Sequence, residues 1–200
     1  LVITDKAQLS GLTEDCIEAA LLTAKEKGKE NAWVFTLDAP SYGPFMTYSD
    51  NRALKEELYK AYASKAFKNN ERDNQNHVKK IAALRHQRAN LLGYPTHAHF
   101  VLEERMAQSP QTVFSFLDNI LSNALPFAKQ ELEELKSYSK SINGPEELLK
   151  GDVPYYAEKL KKKKFEINDE LLKPYFKLEN VIDGVFETAK KLYGLTFHQR

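Results

Sequence analysis

Two hundred residues with 29 basic and 28 acidic side chains carry a formal charge of +1 at neutral pH. That balance gives no broad electrostatic preference for nucleic acid, and no apolar run reaches the length of a membrane span. A hydrophobic share of 42% with 28% charged residues is ordinary for a globular chain with a real core, and Cys16, the single cysteine, allows no internal disulfide. A lone cysteine fits a reducing compartment without excluding a periplasm, so the address stays open between cytoplasm and periplasm. No signal-peptide pattern is visible at Leu1, which says nothing of the address of a longer parent.

Leu9, Leu12, Ile17, Ala20, Leu21 and Ala24 predict a first helix with Thr13 as its cap and Gly28 as its end. Ala32 to Leu37, short, aromatic and β-branched, reads as the best strand. Asp38 to Pro44 reads as a turn-rich connection, and Phe45 to Tyr48 as a candidate second strand. From Ser49 or Asp50 a long helix carries Leu54, Leu58, Ala61, Tyr62 and Phe67 on one face, and the polar run 68–76 breaks it. Val78, Ile81, Leu84, Leu91 and Leu92 mark the next helix, closed by Gly93. Pro95 separates it from a helix that starts near Thr96 and holds Phe100, Val101 and Met106.

Ser109-Pro110, a cap followed by a first-turn proline, opens the longest helix, which reaches about Ser141. Its stripe is Val113, Phe114, Leu117, Ile120, Leu121, Ala128, Leu132 and Leu135. Pro126 falls inside and is expected to bend a helix that continues through it, because the stripe stays in phase. Asn143-Gly144-Pro145 ends that helix, and 146–152 reads as an exposed connection. Asp152 is placed to cap a helix opening near Pro154, with Tyr155, Tyr156 and Leu160 on its apolar side and Lys161 to Lys164 at its end. Asn168 is placed to cap a short helix, Asp169 to Lys173, which Pro174 stops. A further helix runs from about Glu179, with Val181, Ile182, Val185, Phe186, Ala189 and Leu192 at helical spacing and Gly194 suited to the left-handed residue after it. The fold class is therefore mainly α with a small β element near residues 32–48, organised as a helical lobe, 1–142, and a helical segment, 153–200.

Few groups suggest chemistry. His97-x-His99 has a metal-like spacing, but at a helix opening residues i and i+2 point apart, so an exposed or capping role is favoured. Glu103 and Glu104 are adjacent and diverge on a helix, which argues against paired-carboxylate catalysis. Lys161 to Lys164 read as a solvated helix end whose cations suit the C-terminal dipole, rather than as an anion patch. Tyr155-Tyr156 and Tyr175-Phe176 could line a peptide channel; aromatics at such spacing favour the core. Cys16 lies on an apolar helix face, where a thiol is inert. No phosphate loop, Ser-centred nucleophile elbow or internal repeat is present. On the residues alone, a helical binding or scaffold module without catalysis is the natural reading.

The order of certain short runs says more. Leu91-Leu92-Gly93-Tyr94-Pro95-Thr96-His97-Ala98 is followed by Val101-Leu102-Glu103, then Tyr155-Tyr156-Ala157-Glu158, Leu172-Lys173-Pro174-Tyr175-Phe176, Leu178-Glu179-Asn180-Val181, Gly184-Val185-Phe186 and Leu192-Tyr193-Gly194-Leu195. Together with Phe45 to Tyr62 and its Asn51-Arg52 helix opening, this collinear series resembles the thimet oligopeptidase and peptidyl-dipeptidase family of zinc metallopeptidases across essentially the whole chain. The likeness looks nearest to the bacterial peptidyl-dipeptidase branch, which removes C-terminal dipeptides from oligopeptides. It implies a bacterial zinc peptidase parent whose peptide substrates enter a deep channel walled by helices. It also implies an internal fragment that stops before the chemistry. The family motif, His-Glu-x-x-His, begins at none of His77, His86, His97, His99 and His198. No catalytic, cofactor-binding or metal residue is therefore expected within these 200 residues, and zinc is expected only in the parent. One departure stands out: Gly151-Asp152-Val153 occupies the place where family members often carry tryptophans before the Tyr-Tyr pair.

Overall fold

A computed structural model describes residues 1–166 and 172–198. They divide into two compact units, Leu1–Glu158 and Lys159–Arg200. The first unit holds a two-stranded antiparallel sheet, β1 (Val2–Ile3) with β2 (Trp33–Val34), in which Val2 faces Val34 and Ile3 faces Trp33. Its helices are α1 (Glu14–Glu26), α2 (Ala39–Tyr48), α3 (Arg52–Ala63), α4 (Gln75–Leu91), α5 (His97–Leu102) and α6 (Pro110–Ser141), followed by the opening turns of α7 (Val153–Phe165). The second unit contains the rest of α7, a 3₁₀ turn at Lys173–Tyr175 and α8 (Leu178–Tyr193). The chain is mainly α, as its periodicity predicts.

The core explains where the apolar pattern is obeyed. Cys16, Ala20 and Ala24 recur every fourth residue, so one face of α1 is small and buried. That face lets the helix sit close to β2. Ile3, Leu9, Phe35, Phe45, Met46 and Leu58 complete the cluster. The rings of Phe35 and Phe45 stand 4.6 Å apart, tilted by 58°, a favoured aromatic arrangement.

The β element is smaller than expected. Of Ala32 to Leu37 only Trp33–Val34 form regular strand, extended by Phe35, whose N–H and carbonyl bond Leu1 at 2.9 and 3.0 Å, because the partner strand is itself two residues long. Phe45 to Tyr48 is not a strand, and Asp38 to Pro44 is not a turn-rich connection: both belong to α2 and its cap. Pro40 occupies the first turn, where no N–H is needed, and Asp38 accepts the Ser41 and Tyr42 N–H groups on its carbonyl at 3.0 and 2.8 Å. Pro44 gives up one helical bond, yet helix here turns Phe45 and Met46 inward, at 0% and 2% exposure. Burial overrides the local punctuation.

Other boundaries shift modestly. The helix expected from Ser49 or Asp50 begins at Arg52, because the Asn51 side chain accepts the Leu54 N–H at 3.2 Å, and Phe67 lies beyond it. Removing that cap, Asn51→Ala, should lower stability by about 1 kcal/mol in chemical unfolding, with Asn51→Ser nearly neutral. Leu9 belongs to a 3₁₀ turn at Lys6–Leu9 before α1, and Met106 lies beyond α5. α6 runs unbroken through Pro126, with Ser109 Oγ accepting the Thr112 N–H at 3.2 Å. The connection 146–152 is not exposed at its end, since Gly151 and Asp152 are buried.

Between the first 3₁₀ turn and α1, Gly11 adopts φ +85°, and an added Cβ would stand 2.3 Å from the Tyr48 carbonyl oxygen. The chain can therefore pass tightly under the end of α2 only without a side chain at this position. In the second unit Gly194 takes the left-handed conformation after α8, as expected. The Asn168 cap and most of the short helix expected at Asp169 to Lys173 lie outside the described residues.

Candidate functional site

The best-defined polar cluster joins segments far apart in sequence, around the start of α7. Arg52, first residue of α3, donates from Nε to Asp152 Oδ1 at 3.0 Å and from Nη2 to Oδ2 at 2.9 Å. This fork-on-carboxylate geometry fixes direction as well as distance. Asp152 is only 3% exposed, and its Oδ2 also accepts the Leu149 N–H at 2.9 Å. The carboxylate expected to serve as a helix cap is thus engaged by a guanidinium and a preceding turn. The bond pushes the Arg52 guanidinium further above its ordinary range.

One turn on, the Tyr155 hydroxyl donates to Asp50 Oδ1 at 2.7 Å. Asp50 Oδ2 accepts from Ser10 Oγ at 2.8 Å, and the Asp50 N–H reaches the Ser10 carbonyl at 2.9 Å. Lys55, 2% exposed, places Nζ 3.5 Å from the centre of the Tyr155 ring. A cation over a desolvated ring face is a favourable contact. Tyr156 meets Tyr155 edge to face at 5.1 Å, and both rings are buried, so this pair belongs to the core.

Burial raises the Tyr155 phenol above its ordinary value, and the bond to Asp50 raises it further. Below pH 10 the phenol is protonated in both folded and unfolded chains. Above it the unfolded phenol ionises first, so the unfolded state binds fewer protons and stability falls as pH rises. Thermal melts from pH 8 to 11 should show this alkaline loss, and Tyr155→Phe should flatten it. A variant that declines as steeply as the original would refute the assignment.

The other sequence candidates lie apart from this cluster. His97 opens α5, while Thr96 Oγ1 stands 2.8 Å from His99 Nδ1, so His99 serves the helix cap. His86 Nε2 lies 3.0 Å from the Asn90 amide. Glu103 accepts from the Tyr94 hydroxyl, which raises that phenol. Among the described residues, no group of three or more His, Cys, Asp or Glu is placed to hold a metal ion. The donor set of a zinc site does not fit them. Lys161 to Lys164 occupy the last turns of α7, and each engages a partner. Cys16 is buried and forms no disulfide. Tyr175 and Phe176, expected in the core, are 78% and 68% exposed. Residue reading missed Lys55 and the Arg52–Asp152 pair. One signal for Lys55 was present: it stands three residues before Leu58 and seven before Tyr62, on the inward side of α3.

Two of the runs that carried the peptidase resemblance, Phe45 to Tyr62 and Tyr155 to Glu158, converge here, and with Asp152, from the stretch that departs from the family pattern, they form one packed polar joint on a helical scaffold. The sequence model of Peptidase family M3 matches residues 45–200, and the chain belongs to that family. Over its whole length it is 41% identical to Oligopeptidase A of Salmonella typhimurium and 40% identical to Oligopeptidase A of Escherichia coli. It is 33% identical to Dipeptidyl carboxypeptidase of Escherichia coli, again over its whole length. The chain spans 30% of the length of each of these relatives. The identities weigh toward the oligopeptidase A branch over the peptidyl-dipeptidase branch that the motifs suggested.

Proposed function

We propose that this chain is part of a zinc-dependent oligopeptidase that hydrolyses short or unfolded peptides, its helices contributing to the wall of the channel that admits them. The observation that carries this reading is the family match through residues 45–200, which takes in Asp50, Arg52, Asp152 and Tyr155. The names of the relatives, Oligopeptidase A and Dipeptidyl carboxypeptidase, supply the substrate class. A second observation supports membership of a larger body. Along α6, Leu117, Ile120, Leu121 and Phe127 are 49–66% exposed. A contiguous apolar face of this kind marks a contact surface. Zinc ligands do not fit the described residues, so on this reading they come from elsewhere in the parent. These 200 residues then shape and hold the site without ligating the metal.

The test uses the full-length parent and a mixture of oligopeptides, read by mass spectrometry. Turnover of short peptides, sparing of folded proteins and loss of activity with a chelator are expected. The product pattern separates the branches: dipeptides alone point to carboxy-terminal release, and fragments of mixed length to an oligopeptidase. The isolated chain should hydrolyse nothing, with or without added zinc. A parent that folds but turns over no peptide would overturn the reading and leave a helical scaffold.

A further inference from the structure

We propose that Asn143 is a site of spontaneous chemical modification gated by the helix end that holds it: its side-chain amide cyclises onto the Gly144 nitrogen only while the cap of α6 is open. Asn143 is the one asparagine of this chain that is followed by glycine. With no side chain on the next Cα, nothing shields that backbone nitrogen from the neighbouring amide. The Gly144 nitrogen attacks Asn143 Cγ, the new C–N bond closes a succinimide ring, and Nδ2 departs as ammonia with the Gly144 proton. Water then opens the ring at either carbonyl and leaves aspartate or isoaspartate. The sequence of steps needs no oxidant, metal or enzyme, and Asn143 is exposed, so water reaches the ring.

The fold itself asks for this reactive pair. Asn143 holds φ +57°, the left-handed residue after the end of α6, a conformation that asparagine tolerates better than most side chains. Its N–H reaches the Lys140 carbonyl at 3.2 Å, and the Gly144 N–H reaches the Ser139 carbonyl at 2.8 Å. This is the paired closure by which a helix end satisfies its last carbonyls. Gly144 is required for a separate reason. A Cβ there would strike Ser139 Oγ and stand 2.8 Å from both the Ser139 carbonyl oxygen and the Tyr156 hydroxyl. Ser139 is fully buried and Tyr156 is 7% exposed, so neither has room to yield.

The same contacts hold the reaction back. Cyclisation needs the Gly144 nitrogen to turn toward Asn143 Cγ, and its bond to Ser139 and the packing around it oppose that turn. Reaction therefore draws on the fraction of molecules in which the cap has opened locally. The isoaspartyl product does not fit back. Its main chain runs through the former side chain and gains a methylene, which moves the Gly144 N–H away from the Ser139 carbonyl. One opening that ends in cyclisation thus leaves the end of α6 uncapped for good.

The test follows Asn143 by peptide mass spectrometry in the full-length parent, native and in denaturing urea, at fixed pH and temperature, with isoaspartate scored apart from aspartate. In urea Asn143 should convert faster than any other asparagine of this chain. In the native protein it should convert at least about tenfold more slowly, because only open caps react. Ser139→Val overfills the buried site beside Gly144, so it should raise the native rate several-fold and leave the rate in urea unchanged. Unaltered hydrogen exchange in α1 identifies that variant as folded. Asn143→Gly keeps the left-handed residue and removes the reactant; it should hold its melting temperature through prolonged incubation while the original loses it. Any of four results overturns the inference: equal rates in native protein and in urea, another asparagine of this chain reacting first in urea, a folded Ser139→Val that converts no faster than the original, or an aged Asn143→Gly protein that loses as much stability as the original.

Discussion

Gly11→Ala is expected to cost the first unit roughly 2–5 kcal/mol, enough to abolish folding in a marginal background. Two terms add. A left-handed backbone penalises any side chain, and Gly11 holds φ +85°. The new methyl would also stand 2.3 Å from the Tyr48 carbonyl oxygen and 2.8 Å from Asp50 Cγ. Neither neighbour is free to yield: Tyr48 closes α2, and Asp50 is tied to Ser10 through both its N–H and its carboxylate. The matched control is Gly194→Ala, at φ +69° with nothing within 4 Å of the added carbon. It should lose only the backbone share, about 1–2 kcal/mol. Urea midpoints of the two variants decide the point; equal losses would mean that the loop around Gly11 relaxes.

Phe45→Ala should destabilise by about 3–5 kcal/mol, through lost burial and the cavity left behind. The side chain is fully buried and its ring partner Phe35 is 1% exposed, so no solvent path exists to fill the void. Phe45→Leu, which fills most of that volume, should recover more than half of the loss. Phe127→Ala provides the contrast. At 66% exposure it should change the isolated chain by less than about 0.5 kcal/mol and destabilise the full-length parent more, if the parent covers α6. Equal effects of Phe127→Ala in both settings would count against α6 as a buried contact of the parent.

Helical periodicity was legible wherever an amphipathic face meets this chain's own core, and where polar residues cap a start. Thr13, Thr96, Ser109 and Gly194 mark boundaries that the structure retains. α2 was hidden because its two prolines and a glycine mimic loop chemistry, while the burial that stabilises it comes from Phe35, Leu58 and α1, all outside the segment itself. Tyr175-Phe176 misled for the opposite reason: aromatic pairs signal burial, yet among the described residues both rings stand exposed. The joint was legible only as letters. Asn51-Arg52 and Tyr155-Tyr156 could be quoted as a likeness, yet nothing local says that a guanidinium at 52 will meet a carboxylate at 152. Such contacts depend on tertiary closure, which no window of sequence contains.

That closure has a consequence during synthesis. Arg52 and Asp152 are 100 residues apart, and Asp50 and Tyr155 are 105 apart. Closing a flexible loop of that length carries an entropic cost of about 4 kcal/mol from the length-dependent term, an upper bound once α4 to α6 have formed. A ribosome adding roughly 5–20 residues per second needs about 5–20 s to deliver the second half of the joint. Throughout that interval the first turn of α3 stands without its partner. An apolar docking face would spend the wait as an adhesive patch, available to chaperones and to neighbouring nascent chains. Asp50, Arg52 and Lys55 instead spend it hydrated; in the folded chain Lys55 is buried against the Tyr155 ring, while Asp50 and Arg52 keep contact with water. The ionic character of the joint therefore keeps this one surface from acting as an adhesive patch before its partner has been made.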